Sequence, residues 1–178
     1  MSAERIRAAH SFARRNWRIE KLSFGEWMRS SGWPQPTSSG AAPLAGGGEG
    51  ALDPDPTTAR ILARAHNQPE MLQDATAHAE MLALTAAASA KGAWRLSGTR
   101  LYVTKEPCLM CAGAIILARV PTVVWGVSDP KRGGGTVFNI FGHPGINHHP
   151  EIVTGVLEEE SRAILQDFFR KRREEKDA

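Results

Sequence analysis

Apolar and polar positions along this chain change their rhythm near residue 55. From there on the pattern is that of alternating strands and helices. Asp55-Pro56-Thr57-Thr58 reads as a turn and Ala59 to Ala65 as a short strand. Thr76 to Lys91 carries Ala, Met and Leu densely enough for a buried helix, which Gly92 stops. Thr99 to Thr104 alternates as a strand, Cys108 to Arg119 is small, apolar and helical, and Thr122 to Val127 is a short apolar strand. Pro130 through Pro150 reads as a long loop with room for one helical turn. Glu158 to Arg173 spaces Leu157, Ile164, Leu165, Phe168 and Phe169 for an amphipathic helix. Strands alternating with helices predict an α/β domain with helices packed on a sheet.

Before residue 55 the pattern is different. Ser30 to Asp55 is rich in Gly, Pro, Ser and Ala, with the run Gly46-Gly47-Gly48, and has no Val, Ile or Phe. Such a stretch has little from which to build a buried strand, and by composition it reads as a flexible insertion or linker. The expected organisation is a basic helical segment over 1–29, this atypical segment over 30–54, the α/β domain over 55–173, and a charged tail over 174–178.

Composition narrows the class. The 178 residues suffice for one domain with a real core. With 42% hydrophobic and 23% charged residues the chain is globular in character. A net charge of +3 and a pI near 9.1 permit a phosphate-bearing partner without demanding one. The longest apolar run, Cys111 to Ala118, is far too short to cross a bilayer, and no apolar h-region follows the early arginines. Two cysteines make no disulfide framework, so a reducing, cytoplasmic setting is expected.

The candidate chemistry sits in two short motifs. Pro107-Cys108-Leu109-Met110-Cys111 places two sulfurs on one face of a helix start, where the helix dipole favours thiolates. Alone, a CxxC pair serves metal binding or redox chemistry equally. Thirty residues earlier stands His78-Ala79-Glu80, with Asp74 and Thr76 as candidate caps just upstream. At the very start of a helix both side chains can address a site off its end. One His and two Cys leave a zinc ion an open position, the mark of a catalytic site. The competing reading is a closed structural site completed by His143, His148 or His149.

Together these residues resemble the H-x-E…P-C-x-x-C signature of the zinc-dependent cytidine/deoxycytidylate deaminase superfamily. The likeness extends to Ala65-His66-Asn67, to Leu101 through Glu106, to Trp125-Gly126-Val127-Ser128-Asp129, to His143 through His148, and to Asp167-Phe168-Phe169 with its basic tail. These stretches are similar to bacterial tRNA-specific adenosine deaminases. The resemblance implies a three-layer α/β/α cytidine-deaminase-like fold with a mixed central sheet. It implies one Zn2+ per subunit on His78, Cys108 and Cys111, and hydrolytic deamination of adenosine to inosine at the tRNA wobble position. Zinc would supply hydroxide and Glu80 would shuttle the proton. Asn67, the Ala79 backbone N–H, Asp129 and Phe168 would contact the substrate, Lys131, Arg132 and Arg170 to Arg173 its phosphates, and the enzyme would be a homodimer. A guanine or other nucleobase deaminase, or an inactive zinc-binding pseudoenzyme, are the alternatives.

One stretch departs from the resemblance. The family places an amphipathic helix and then a Gly- and Val-rich strand before Ala59. Residues 30–54 have about that length and none of its apolar residues, so the first core strand is expected to be missing or replaced. Gly-, Pro-, Ser- and Ala-rich sequence is what a GC-rich gene commonly yields out of frame, which motivates the hypothesis of an out-of-frame segment. Resequencing the gene should reveal another frame that restores apolar helix and strand patterns here. An uninterrupted frame with no such alternative contradicts the hypothesis.

Overall fold

A computed structural model describes residues 49–52 and 61–177, all within the compact unit that begins at Leu44. The helical segment expected over 1–29, residues 30–48 of the atypical segment and the turn at Asp55 lie outside the described residues.

In chain order the elements are β1 (Glu49–Leu52), β2 (Ile61–Ala65), α1 (Pro69–Leu72), α2 (Ala79–Lys91), β3 (Arg100–Lys105), α3 (Leu109–Leu117), β4 (Thr122–Val127), a 3-10 turn (Ile140–Gly142), β5 (Glu151–Thr154) and α4 (Glu158–Asp177). The strands form one sheet in the order β2-β1-β3-β4-β5. β1 is antiparallel to both neighbours, whereas β3, β4 and β5 run parallel. The mixed sheet is therefore as expected.

The first strand is a correction. Glu49–Leu52 lies between β2 and β3, pairing Ala51 with Ala63 on one side and with Leu101 on the other. The expectation of a missing or replaced strand rested on side-chain composition, and a short strand stands in the place of the one expected to be lost. A ladder, however, is made by backbone N–H and C=O groups, which Gly and Ala supply as well as Val does. The strand is short, and its register shifts between Ala51 and Leu52. Two further elements, α1 and β5, fall in stretches from which no element was expected.

Alternation along the parallel strands sorts the layers. Leu101, Val103, Val123 and Trp125 share a core with Leu84 and Ala87 of α2 and Ala112, Ile115 and Ile116 of α3. Ala79, Ala83 and Ala87, all buried, recur every four residues along α2. They form one small-residue stripe that admits close packing. The opposite register of the strands faces α4, so the sheet lies between helices on both sides. Gly126 of β4 sits under Ser161 of α4. A Cβ there would lie 2.5 Å from Ser161 Oγ and 2.9 Å from both Ser161 Cβ and the Thr104 carbonyl oxygen.

No helix among the described residues is long and apolar enough to cross a membrane. Gly126→Ala should destabilise the protein by about 1–3 kcal/mol through overpacking, read by chemical denaturation. Ser161→Gly in that background should return part of the loss. Unchanged stability in Gly126→Ala would contradict the α4 contact.

Candidate active site

Two helices begin at this site. α2 starts one residue later than its cap: His78 has extended backbone (φ −72°, ψ 151°), and its carbonyl accepts the first helical bond, from Leu82 N–H at 3.1 Å. α3 repeats the arrangement, with Cys108 extended (φ −71°, ψ 174°) and its carbonyl accepting from Ala112 N–H at 2.8 Å. His78 and Cys108 are thus both N-caps, and their side chains project off helix ends whose unpaired N–H groups favour negative charge. Asp74 and Thr76, expected as caps, instead close a turn with each other, Thr76 N–H and Oγ1 both donating to Asp74 Oδ1 at 2.7 Å.

His78 Nδ1 lies 3.6 Å from Cys108 Sγ and 3.5 Å from Cys111 Sγ. These distances test whether the three residues fit a metal ion. With Zn–S of about 2.3 Å and Zn–N of about 2.0–2.1 Å at a tetrahedral angle, S and N would be separated by about 3.6 Å. The fit is good. Among the described residues these three form the group of His, Cys, Asp and Glu donors close enough to share an ion. The histidines that would close the site are engaged elsewhere: His143 Nδ1 accepts from Gly145 N–H, His148 Nε2 is 2.8 Å from the Val120 carbonyl, and His149 Nδ1 is 3.1 Å from that of Phe141. The arrangement can hold a metal and leave it an open position.

Electrostatics support the same reading. The Cys108 thiol is pushed down to about 5, chiefly by its hydrogen bond with Cys111 and further by backbone N–H groups of the first turn of α3. The same bond, with burial, pushes the Cys111 thiol up. The two shifts are opposite sides of one shared hydrogen bond, which favours the thiolate at Cys108 over that at Cys111. Glu80, in the first turn of α2, is only 6% exposed. Burial raises its carboxyl above the usual range, against hydrogen bonds from its own backbone and from Cys111.

The candidate substrate contacts are placed unequally. Asn67 is exposed, and its Oδ1 accepts the Ala79 N–H at 2.8 Å. The Ala79 N–H, expected to contact a purine, is therefore engaged within the protein and serves to orient Asn67. Asp129 is buried, with Oδ1 accepting Lys131 N–H at 2.9 Å and Arg132 N–H at 3.2 Å, and Oδ2 paired with Lys105 Nζ at 2.6 Å. Burial alone would raise its carboxyl, but the Lys105 ammonium and these N–H groups outweigh burial and lower it. Phe168 is half-buried on α4 and stacks edge-on against Phe169, with centroids 5.1 Å apart.

Sequence reasoning missed two groups. Lys105 gave no signal of its own. Glu106 is a buried carboxylate whose oxygens take four hydrogen bonds from the loop after β4. Its signal was the run Gly133-Gly134-Gly135, since three consecutive glycines commonly mark a close approach of another group.

Comparison with known proteins agrees with this geometry. The family of MafB19-like deaminases matches residues 50–173. The tRNA-specific adenosine deaminase of Bacillus subtilis (strain 168) is 53% identical over 119 residues, covering 66% of this chain and 74% of that protein. A solved structure from studies of A-to-I editing by tRNA:A34 deaminases at the wobble position of transfer RNA superposes with a TM-score of 0.62 at 39% identity, covering 66% of this chain and 83% of that one. Guanine deaminase from Nitrosomonas europaea shares the fold alone, at 21% identity and a TM-score of 0.56 over 68% of this chain and 71% of that one. With a His and two Cys side chains gathered at two helix starts, a buried Glu beside them, and a family match over most of its length, the chain belongs to the MafB19-like deaminase family of the cytidine deaminase superfamily.

Proposed function

We propose that this protein deaminates adenosine to inosine at the wobble position of tRNA, as a zinc hydrolase. The observation that carries the proposal is the site itself: a His and two Cys donors gathered closely enough to share one ion, with the N–S distances of a tetrahedral zinc site and a buried carboxylate in the first turn of α2. The identity to tRNA-specific adenosine deaminases supports the substrate.

His78, Cys108 and Cys111 would hold one Zn2+. A zinc ion so held lowers the pKa of water to about 7 and so supplies a nucleophile at neutral pH. The overall reaction adds water at C6 of adenine and releases ammonia. Glu80 is the group that moves protons: its carboxylate takes one from water, gives it to ring N1, and then assists departure of the amine. Burial, which raises its carboxyl, suits it to taking up and returning a proton. Asn67, its Oδ1 held by Ala79 N–H, would donate from Nδ2 to the base edge. Asp129, ion-paired with Lys105, would lie near the ribose. Phe168 would wall the bound loop, with Lys131, Arg132 and Arg170 to Arg173 towards its phosphates. An unstacked anticodon base suits such a pocket.

We take the protein to act as a homodimer in the cytoplasm. Apolar side chains exposed on α3 and the loop after β4, Leu109, Leu117, Val137 and Phe138, are in keeping with a covering second copy. A closed structural site is disfavoured because, among the described residues, His78, Cys108 and Cys111 have no fourth His, Cys, Asp or Glu donor close enough to share an ion. A closed site or an inactive pseudoenzyme also has no need of the buried non-ligand carboxylate of Glu80.

Zinc-loaded protein given an anticodon stem-loop with adenosine at the wobble position should form inosine, and Glu80→Ala should lower the rate by about 10²–10⁴-fold at unchanged zinc content. No inosine from folded, zinc-loaded protein, or equal rates in the variant, contradicts the proposal. Turnover of free guanine in place of RNA would shift the reading to a nucleobase deaminase.

A further inference from the structure

Glu106 directly follows β3 and precedes the Pro107-Cys108 turn. Its Oε2 accepts Asp129 N–H at 2.7 Å and Thr136 Oγ1 at 2.8 Å, and its Oε1 accepts Gly135 N–H at 3.0 Å and Thr136 N–H at 2.7 Å. The residue is only 4% exposed. Four donors on one buried carboxylate make a strong, directional staple, since hydrogen bonds to a charged acceptor are about twice as strong as neutral ones. Around it the backbone is drawn tight. Gly133 bridges to Cys108, Gly134 N–H donates to the Pro107 carbonyl at 2.8 Å, and Glu106 N–H donates to the Val127 carbonyl at 2.8 Å. A Cβ on Gly133 would overlap the Glu106 carboxyl group, and one on Gly134 would lie 2.6 Å from Ala112 Cβ.

The staple joins two parts of the site. At one end, two residues along from Glu106, is Cys108 of the metal-donor set. At the other is Asp129, whose own N–H Glu106 holds. We propose that Glu106 is a positioning residue, which fixes the Asp129–Thr136 loop on the Cys108 turn so that Asp129 meets the substrate's ribose at a set place relative to Cys108. The inference rests on the deaminase reading of the site. Neutral glutamine cannot replace the carboxylate. It offers one acceptor oxygen to two pairs of donors, so its amide N–H groups must face either Asp129 N–H and the Thr136 hydroxyl or the Gly135 and Thr136 N–H groups.

The test is a double-mutant cycle on the zinc-loaded protein with the anticodon stem-loop, alongside amide hydrogen exchange. Glu106→Gln should lower kcat/KM about ten- to a hundredfold, mainly through KM, at unchanged zinc content. Exchange should quicken over Asp129–Thr136 and not in α2. In an Asp129→Ala background the same substitution should cost no more than about twofold, because the group it positions is gone. A wild-type KM in Glu106→Gln, or full multiplication of the two effects, overturns the inference. If Glu106→Gln does not fold, Thr136→Val, which removes only the hydroxyl bond, should show the same coupling at about threefold, and its absence overturns the inference. Wild-type protein that makes no inosine refutes the deaminase reading instead. The positioning of the loop then stands or falls on the exchange result.

Discussion

The site depends on two helices beginning at the same place. His78 and Cys108 each occupy the last extended position before a helix, and their side chains come within 3.6 Å of each other off the two ends. This constraint fixes the chemistry available. The hydrogen bond between the two sulfurs and the N–H groups of the first turn of α3 favour a thiolate at Cys108. It also fixes where Glu80 sits. Two residues beyond His78, it has just entered α2, so its carboxyl is buried beside the donors without being counted among them.

The sheet exists to hold those two starts together. Leu101 and Val103 of β3 pair in register with Val123 and Trp125 of β4, and the same side chains form the floor on which α2 and α3 pack. Both parallel strands end at the site: β3 runs into Glu106 and Cys108, and β4 into Ser128 and Asp129. Placing the reactive groups beyond the carboxyl ends of parallel strands is a general solution of α/β folds, because loops there can differ without disturbing the pairing beneath. In this protein the loops are tied by a buried carboxylate, which substitutes fixed hydrogen bonds for apolar contact.

What was legible in the sequence was local. The spacing His78-Ala79-Glu80 and Cys108 to Cys111 is written within single turns of chain, and β4 shows as an unbroken apolar run. What was not legible depends on distant partners. β1 carries Glu, Gly, Ala and Leu, none of them β-branched, and forms because Ala63 and Leu101 flank it with open backbone groups. The link between Asn67 and Ala79 spans twelve residues, and the Glu106 staple reaches thirty residues to Thr136. No periodicity announces either. Asp74 and Thr76 looked like caps because Asp and Thr favour both caps and tight turns, and here the turn prevailed.

The central claim is that His78, Cys108 and Cys111 hold one metal ion with one position left for water. Zinc K-edge absorption on the purified protein addresses it directly. The account predicts one Zn2+ per chain, with two sulfurs at about 2.3 Å, one imidazole nitrogen at about 2.0–2.1 Å and one further light atom that a substrate analogue displaces. Four protein ligands, or a zinc content that survives Cys111→Ala unchanged, would contradict it.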